Sequence, residues 1–178
     1  LLGYWLAIGF MPVPGFGVAN FEKGTNLAAW LDNLVLEGHL WSYSKTWDPE
    51  GILSTLPAIA TGIFGMFIGQ VLNLQIPKVE IIKKTASIGI ALLITGLLWS
   101  IVFPINKSLW TSSYVLYTAG IATICLTLLY WIIDVLNYNK WIKLFLIWGV
   151  NPMIVFFFSG IIPRVLSSIK IQNPEIAT

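Results

Sequence analysis

A chain of 178 residues that is 57% hydrophobic and only 10% charged, with a mean hydropathy of +0.81, has too few ionisable groups to cover a water-soluble surface. Its net charge of +2 comes from scattered basic residues, which gives no nucleic-acid footprint. Cys125 is the only cysteine, so an internal disulfide and a cysteine metal cluster are excluded, and it is expected to be a small buried or lipid-facing residue.

The composition predicts an all-α polytopic transmembrane bundle with about five membrane segments, at about 20 apolar residues per crossing. Residues 1–11 read as the second half of a span, stopped by Pro12, Pro14 and nearby glycines. The opening Leu1-Leu2-Gly3-Tyr4-Trp5 has no basic leader, and the polar end 171–178 has no anchor, so a fragment truncated at both ends is expected. An outer loop follows at 13–51. Its Gly-rich part, 15–24, lacks the strand–turn–helix setting of a phosphate-binding fingerprint and is read as a loop. Further along, Leu27, Trp30, Leu31, Leu34 and Leu36 recur at roughly helical spacing, predicting a short amphipathic helix lying on the bundle within 26–40.

The remaining spans are expected at 52–74, 87–103, 112–135 and 144–162, all within a single transmembrane domain. In the first of these, Ala58, Gly62, Gly65 and Gly69 form a stripe of small residues suited to close helix packing, and Pro57 is placed to kink the helix. Lys78, Lys83 and Lys84 in loop 75–84, with Lys140 and Lys143 in loop 136–143, make those two loops cytoplasmic by the positive-inside bias. Loop 13–51 and turn 104–111 then share the opposite side. Arg164 and Lys170, also placed there, run mildly against that bias.

Both distinctive polar motifs lie on the outer side. In Trp47-Asp48-Pro49-Glu50-Gly51, one reading is mechanical: Asp48 caps the next helix, Pro49 starts it and Glu50 favours its positive end. The other is that two carboxylates at the mouth of a bundle bind an amine or a hydroxyl-rich ligand, and spacing leaves both open. In Phe103-Pro104-Ile105-Asn106-Lys107-Ser108-Leu109-Trp110-Thr111-Ser112-Ser113, Pro104 ends one helix and Ser112 or Ser113 can cap the next. Asn106, Lys107, Trp110 and Ser113 in that turn also suit a sugar or a carboxylate-bearing group. His39 is the only histidine and is grouped with the substrate-binding candidates. Asp134 is either an intramembrane carboxylate or an interfacial group near Lys140. Gly149-Val150-Asn151-Pro152 puts a polar break into the last span, where Asn151 is a further binding candidate.

The run Asp48-Pro49-Glu50-Gly51-Ile52-Leu53-Ser54-Thr55, followed by Pro104-Ile105-Asn106-Lys107-Ser108-Leu109-Trp110-Thr111-Ser112-Ser113-Tyr114-Val115, resembles the heparan-α-glucosaminide N-acetyltransferase family. Bacterial relatives of that family carry labels such as DUF5009 or N-acetylglucosamine-related transporter. Gly3-Tyr4, Pro12 to Gly15, His39-Leu40 and Gly149-Val150-Asn151 are similar in the same order, so the resemblance covers nearly the whole chain. It implies a multi-pass acyltransferase, in a bacterial inner membrane, that moves acetyl from acetyl-CoA to a glucosamine-type amino sugar on the non-cytoplasmic side. No metal is implied, and a homo-oligomer is left open. The family's catalytic histidine is expected ahead of Leu1, so His39 does not inherit that role and the fragment alone is expected to be inactive. Asp48 and Glu50 are the catalytic candidates, orienting or deprotonating the sugar amine. The alternative is a transporter of N-acetylglucosamine or related sugars, in which the same groups bind without chemistry; an inverted repeat would favour it, and no convincing one is visible.

Overall fold

In a computed structural model of the chain, residues 1–138 and 142–168 are described, with side chains except that of Leu144. Lys140, Lys170 and the polar end 171–178 lie outside the described residues. Helices α1 (Leu2–Phe10), α2 (Leu27–Val35), α3 (Thr55–Leu72), α4 (Lys78–Trp99) and α5 (Ser112–Tyr130) are followed by a π-helical turn, Trp131–Val135, then by α6 (Ile142–Val150) and α7 (Pro152–Ser168). No strand is found among the described residues; Val13 and Gly17 pair as an isolated bridge. The chain divides into two units, Leu1–Val135 and Leu136–Thr178.

This is an all-helical membrane protein. Among the described residues, three helices are long and apolar enough to cross a bilayer: Thr55–Leu72, Lys78–Trp99 and the continuous Ser112–Val135. Their outward faces are hydrocarbon, with Ile59, Ile63, Met66 and Phe67 of α3 and Ile90, Ile94 and Leu97 of α4 all exposed to the surroundings. Cys125 is exposed on α5 in the same way. Helix α1 has 9 residues, which at about 1.5 Å rise each is half a hydrocarbon core.

Several boundaries differ from those read in the sequence. The helix expected at 87–103 begins at Lys78, so Lys78, Lys83 and Lys84 stand on its opening turns instead of in a loop. Pro77 starts it without giving up any helical hydrogen bond, because an N-terminal residue has no carbonyl to donate to. Lys78 donates to the carbonyl of Asp134 across 2.6 Å, and Lys83 pairs with Glu80 at 3.0 Å. Pro57 lies in the first turn of α3, where a missing N–H costs nothing, so it does not kink the helix. The helix expected at 144–162 is two helices meeting at Asn151, whose side chain donates to the Ile147 carbonyl at 2.9 Å.

The tightest packing is between α4 and α5. A Cβ on Gly120 would lie 2.5 Å from the Leu93 nitrogen, and one on Gly96 would lie 2.6 Å from the Tyr117 nitrogen. These glycines let two backbones touch, which in a bilayer is how helices gain dispersion energy that lipid does not already supply. The stripe expected to do this, Gly62, Gly65 and Gly69 on α3, has nothing within 4 Å of its Cβ positions. At the end of the bundle where α3 begins and α4 ends, Tyr4, Ile8, Val13, Leu27, Ala28, Phe103 and Leu109 form one buried cluster. It joins α1, α2 and the loop before α5, and Tyr4 donates its hydroxyl to the Leu109 carbonyl at 2.5 Å.

Candidate functional site

Helix α2 is placed by Asn26, whose side chain accepts from the Ala29 N–H at 3.0 Å. The face it buries is Leu27, Ala28, Ala29 and Asp32, while Trp30, Leu34 and Val35 are exposed. This corrects the expected stripe of Leu27, Trp30, Leu31, Leu34 and Leu36: the helix turns its small residues and its acid inward. The reason lies in the partner. Asp32, only 1% exposed, accepts a hydrogen bond from the Ile52 N–H at 2.9 Å. Burial, the largest effect, raises its pKa; the Ile52 bond lowers it, and the nearby charge of Asp48 raises it.

The turn carrying Asp48 and Glu50 is shaped by its own polar groups. Asp48 accepts from the Glu50 N–H at 2.9 Å and from the Trp41 N–H at 3.2 Å, one bond to each carboxylate oxygen. Helix α3 starts only at Thr55, so Asp48 closes a side-chain turn instead of capping that helix, and Pro49 does not begin it. Ser54 and Thr55 donate their hydroxyls to the Gly51 carbonyl at 2.9 and 3.0 Å, which completes the entry to α3.

Loop 104–111 is similarly self-bonded. Asn106 accepts from the Ser108 N–H at 2.9 Å, and its own N–H donates to Thr111 Oγ1 at 3.0 Å. Thr111 is the residue that caps α5, accepting from the Tyr114 N–H, in place of Ser112 or Ser113. Ser113, fully buried, donates to the Phe103 carbonyl at 2.6 Å, and Ser112 donates to the Leu1 carbonyl at 2.9 Å. Trp110 pays for its place with a left-handed backbone, φ 53°, unfavourable for a bulky residue. Its ring is held by Nε1–H donating to Thr61 Oγ1 at 3.1 Å and by an edge contact with Tyr114, centroids 5.5 Å apart.

Trp110 walls two cavities. One, of about 200 Å³, is lined by Pro49, Glu50, Ser54, Thr55, Ala58 and Trp110. The other, of about 420 Å³, runs between α3 and α5 past Thr61, Gly65, Ile68, Tyr114, Thr118 and Thr123. Thus Glu50 and Trp110 face one space from two loops far apart in sequence. Asp48 borders a much smaller space, of about 10 Å³, with Asp32, Ser54 and Ser108. Lys107 is exposed on the same loop as Trp110. His39 is exposed, with Nδ1 3.3 Å from the Glu37 carbonyl. Asn151 belongs to the second unit, and Asp134 sits exposed on the π-helical turn.

Thr61, Tyr114 and Thr118, which line the larger cavity, and Asp32 are not among the site residues expected from the sequence. A carboxylate among Leu and Ala in a short helix was the available signal for Asp32. The threonines resemble any others that bond back to their own helix, as Thr118 does to the Tyr114 carbonyl at 2.7 Å.

The chain is 31% identical to human (Homo sapiens) heparan-alpha-glucosaminide N-acetyltransferase over 165 residues, covering 76% of this chain and 25% of that protein. It is a relative of that acetyltransferase. The mouse (Mus musculus) protein of the same name is 29% identical over 164 residues, with 74% of this chain and 24% of its own length covered. The chain therefore spans about a quarter of the length of the curated relatives it matches. No family model matches it. The resemblance to the heparan-alpha-glucosaminide N-acetyltransferases read from Asp48 to Thr55 and from Pro104 to Val115 thus has independent support at the level of the family.

Proposed function

We propose that this chain is part of a multi-pass membrane acetyltransferase that moves an acetyl group from acetyl-CoA to the amine of a glucosamine-type sugar. The observation that carries the reading is the cavity shared by Glu50 and Trp110, in a chain related to acetyltransferases of that kind. A carboxylate opposite an aromatic ring is a natural seat for an amino sugar. The ring covers the apolar face of the sugar, while the carboxylate attracts the ammonium group and takes its proton. The neutral nitrogen then bonds to the acyl carbon, the carbon–sulfur bond breaks, and the proton that the new amide nitrogen sheds goes to the leaving thiolate.

Glu50 is assigned the amine, and Asp48 the shape of the turn, because both oxygens of Asp48 already accept backbone N–H groups. Lys107 and Asn106, on the loop that carries Trp110, stay candidates for contact with the sugar although they do not line the cavity. The longer cleft beyond Trp110, apolar with a few hydroxyls, suits the arm of a thioester donor. His39 and Asn151 remain candidates for binding parts of the substrate outside this cavity.

The lysines at the start of α4 support a cytoplasmic placement of that end, which puts the Glu50 cavity on the opposite side with the acceptor. In the intact protein, Glu50→Gln is expected to lower acetyl transfer to glucosamine by about a hundredfold, the size of a lost general base. Transfer at the wild-type rate would refute the assignment. Unmodified sugar crossing proteoliposomes, with no labelled acetyl on it, would replace the enzyme by a transporter.

A further inference from the structure

Glu50 stands on a segment that is not part of any helix, so something else must fix it. Its two ends are held from α2 by consecutive side chains. Asp32 accepts from the Ile52 N–H at 2.9 Å, and Asn33 donates Nδ2 to the Thr46 carbonyl at 2.5 Å. Gly51 is pressed on the same carboxylate: a Cβ there would lie 2.0 Å from Asp32 Oδ2. Helix α2 is itself seated, since Leu27 and Ala28 belong to the buried cluster that includes Leu109, next to Trp110. One short helix therefore bears on both loops that wall the cavity.

We propose that Asp32 and Asn33 are positioning residues: a two-point clamp on segment 46–52 that sets where Glu50 meets the acceptor. This rests on the reading of the Glu50–Trp110 cavity as the acceptor site. Neither side chain lines that cavity, so neither touches the substrate. The clamp needs an acceptor atom at position 32 and no side chain at position 51. A Glu at 32 would be too long for the space beside Gly51, and a Ser too short to reach Ile52.

The test uses the intact protein in lipid nanodiscs, with acetyl-CoA and glucosamine as substrates and amide hydrogen exchange as a second readout. Asp32→Ala is expected to speed exchange at the Ile52 amide by an order of magnitude, and to raise the KM for glucosamine about tenfold while leaving the KM for acetyl-CoA unchanged. Asn33→Ala is expected to raise the same KM by several-fold, roughly one neutral hydrogen bond. Asp32→Asn keeps an oxygen for the Ile52 N–H and should restore both readouts, whereas Gly51→Ala should reproduce the loss with Asp32 intact. A general loss of stability would move both KM values and would not be rescued by Asn. Unchanged exchange at Ile52 in Asp32→Ala, or no rescue by Asn, overturns the clamp. If Glu50→Gln leaves acetyl transfer to glucosamine at the wild-type rate, the reading of the cavity fails; exchange at Ile52 and its rescue still decide the clamp.

Discussion

Helix α3 and the α4–α5 pair both carry glycines at spacings that favour close approach, yet they use them differently. On α4 and α5, Gly96 and Gly120 face a neighbouring backbone closer than any Cβ could tolerate. On α3, Gly62, Gly65 and Gly69 have nothing within 4 Å of their Cβ positions, and Gly65 lines the cleft that Trp110 walls. The α3 stripe is the more regular in sequence, but the less regular set makes the contact. Spacing says that one side of a helix is small; it does not say that another helix is there. In a membrane this matters because lipid satisfies an apolar face as well as a protein side chain does, so an open stripe carries no penalty.

The sharpest way to break this comparison is to fill one glycine of each kind. Gly120→Val is expected to cost about 3 kcal/mol or more, since the added methyls meet the Leu93 backbone and not a flexible side-chain end. Gly65→Val, with nothing within 4 Å, is expected to change stability by no more than about 0.5 kcal/mol. Thermal unfolding of the solubilised protein, followed by tryptophan fluorescence, measures both. Equal losses would mean that α3 is packed as tightly as α5.

A smaller effect is expected where α3 does meet α5. Thr61→Val removes the acceptor of the Trp110 Nε1–H and should cost about 1 kcal/mol, with a shift in tryptophan emission as the indole loses its partner. No shift would mean that the indole is held by Tyr114 alone.

The smallest effect is a slope with pH. The Asp32 pKa is raised in the folded state, so folding favours its protonated form. Its contribution is fully present below the unfolded value of about 3.9 and is lost as pH rises through the higher folded value. Stability should therefore fall gently with rising pH across that window, and Asp32→Asn should flatten the curve. Urea midpoints at several pH values test this, and an unchanged slope in the Asn variant would assign it to another group.

How far the site was legible follows from the same physics. Glu50 and Trp110 were legible as candidates because each stands in a polar motif at the start of a spanning helix, though a tryptophan is at home there in any case. Nothing in their positions said that they share one cavity. That depends on the bond from Trp110 to Thr61 and on where α2 holds segment 46–52. Asp48 drew equal attention, yet its oxygens serve its own turn, and a polar motif does not reveal whether it bonds inward or outward.

The sequence by itself determined the solvent and the helical class: too little charge for water, and runs of apolar residues that in lipid must satisfy their backbone as helices. Those are local and compositional facts. The tertiary structure alone decided which glycines touch, which face of α2 is buried and which carboxylate faces open space. Each of these depends on a partner distant in sequence. For Asp32, that partner is the backbone N–H of Ile52, twenty residues away.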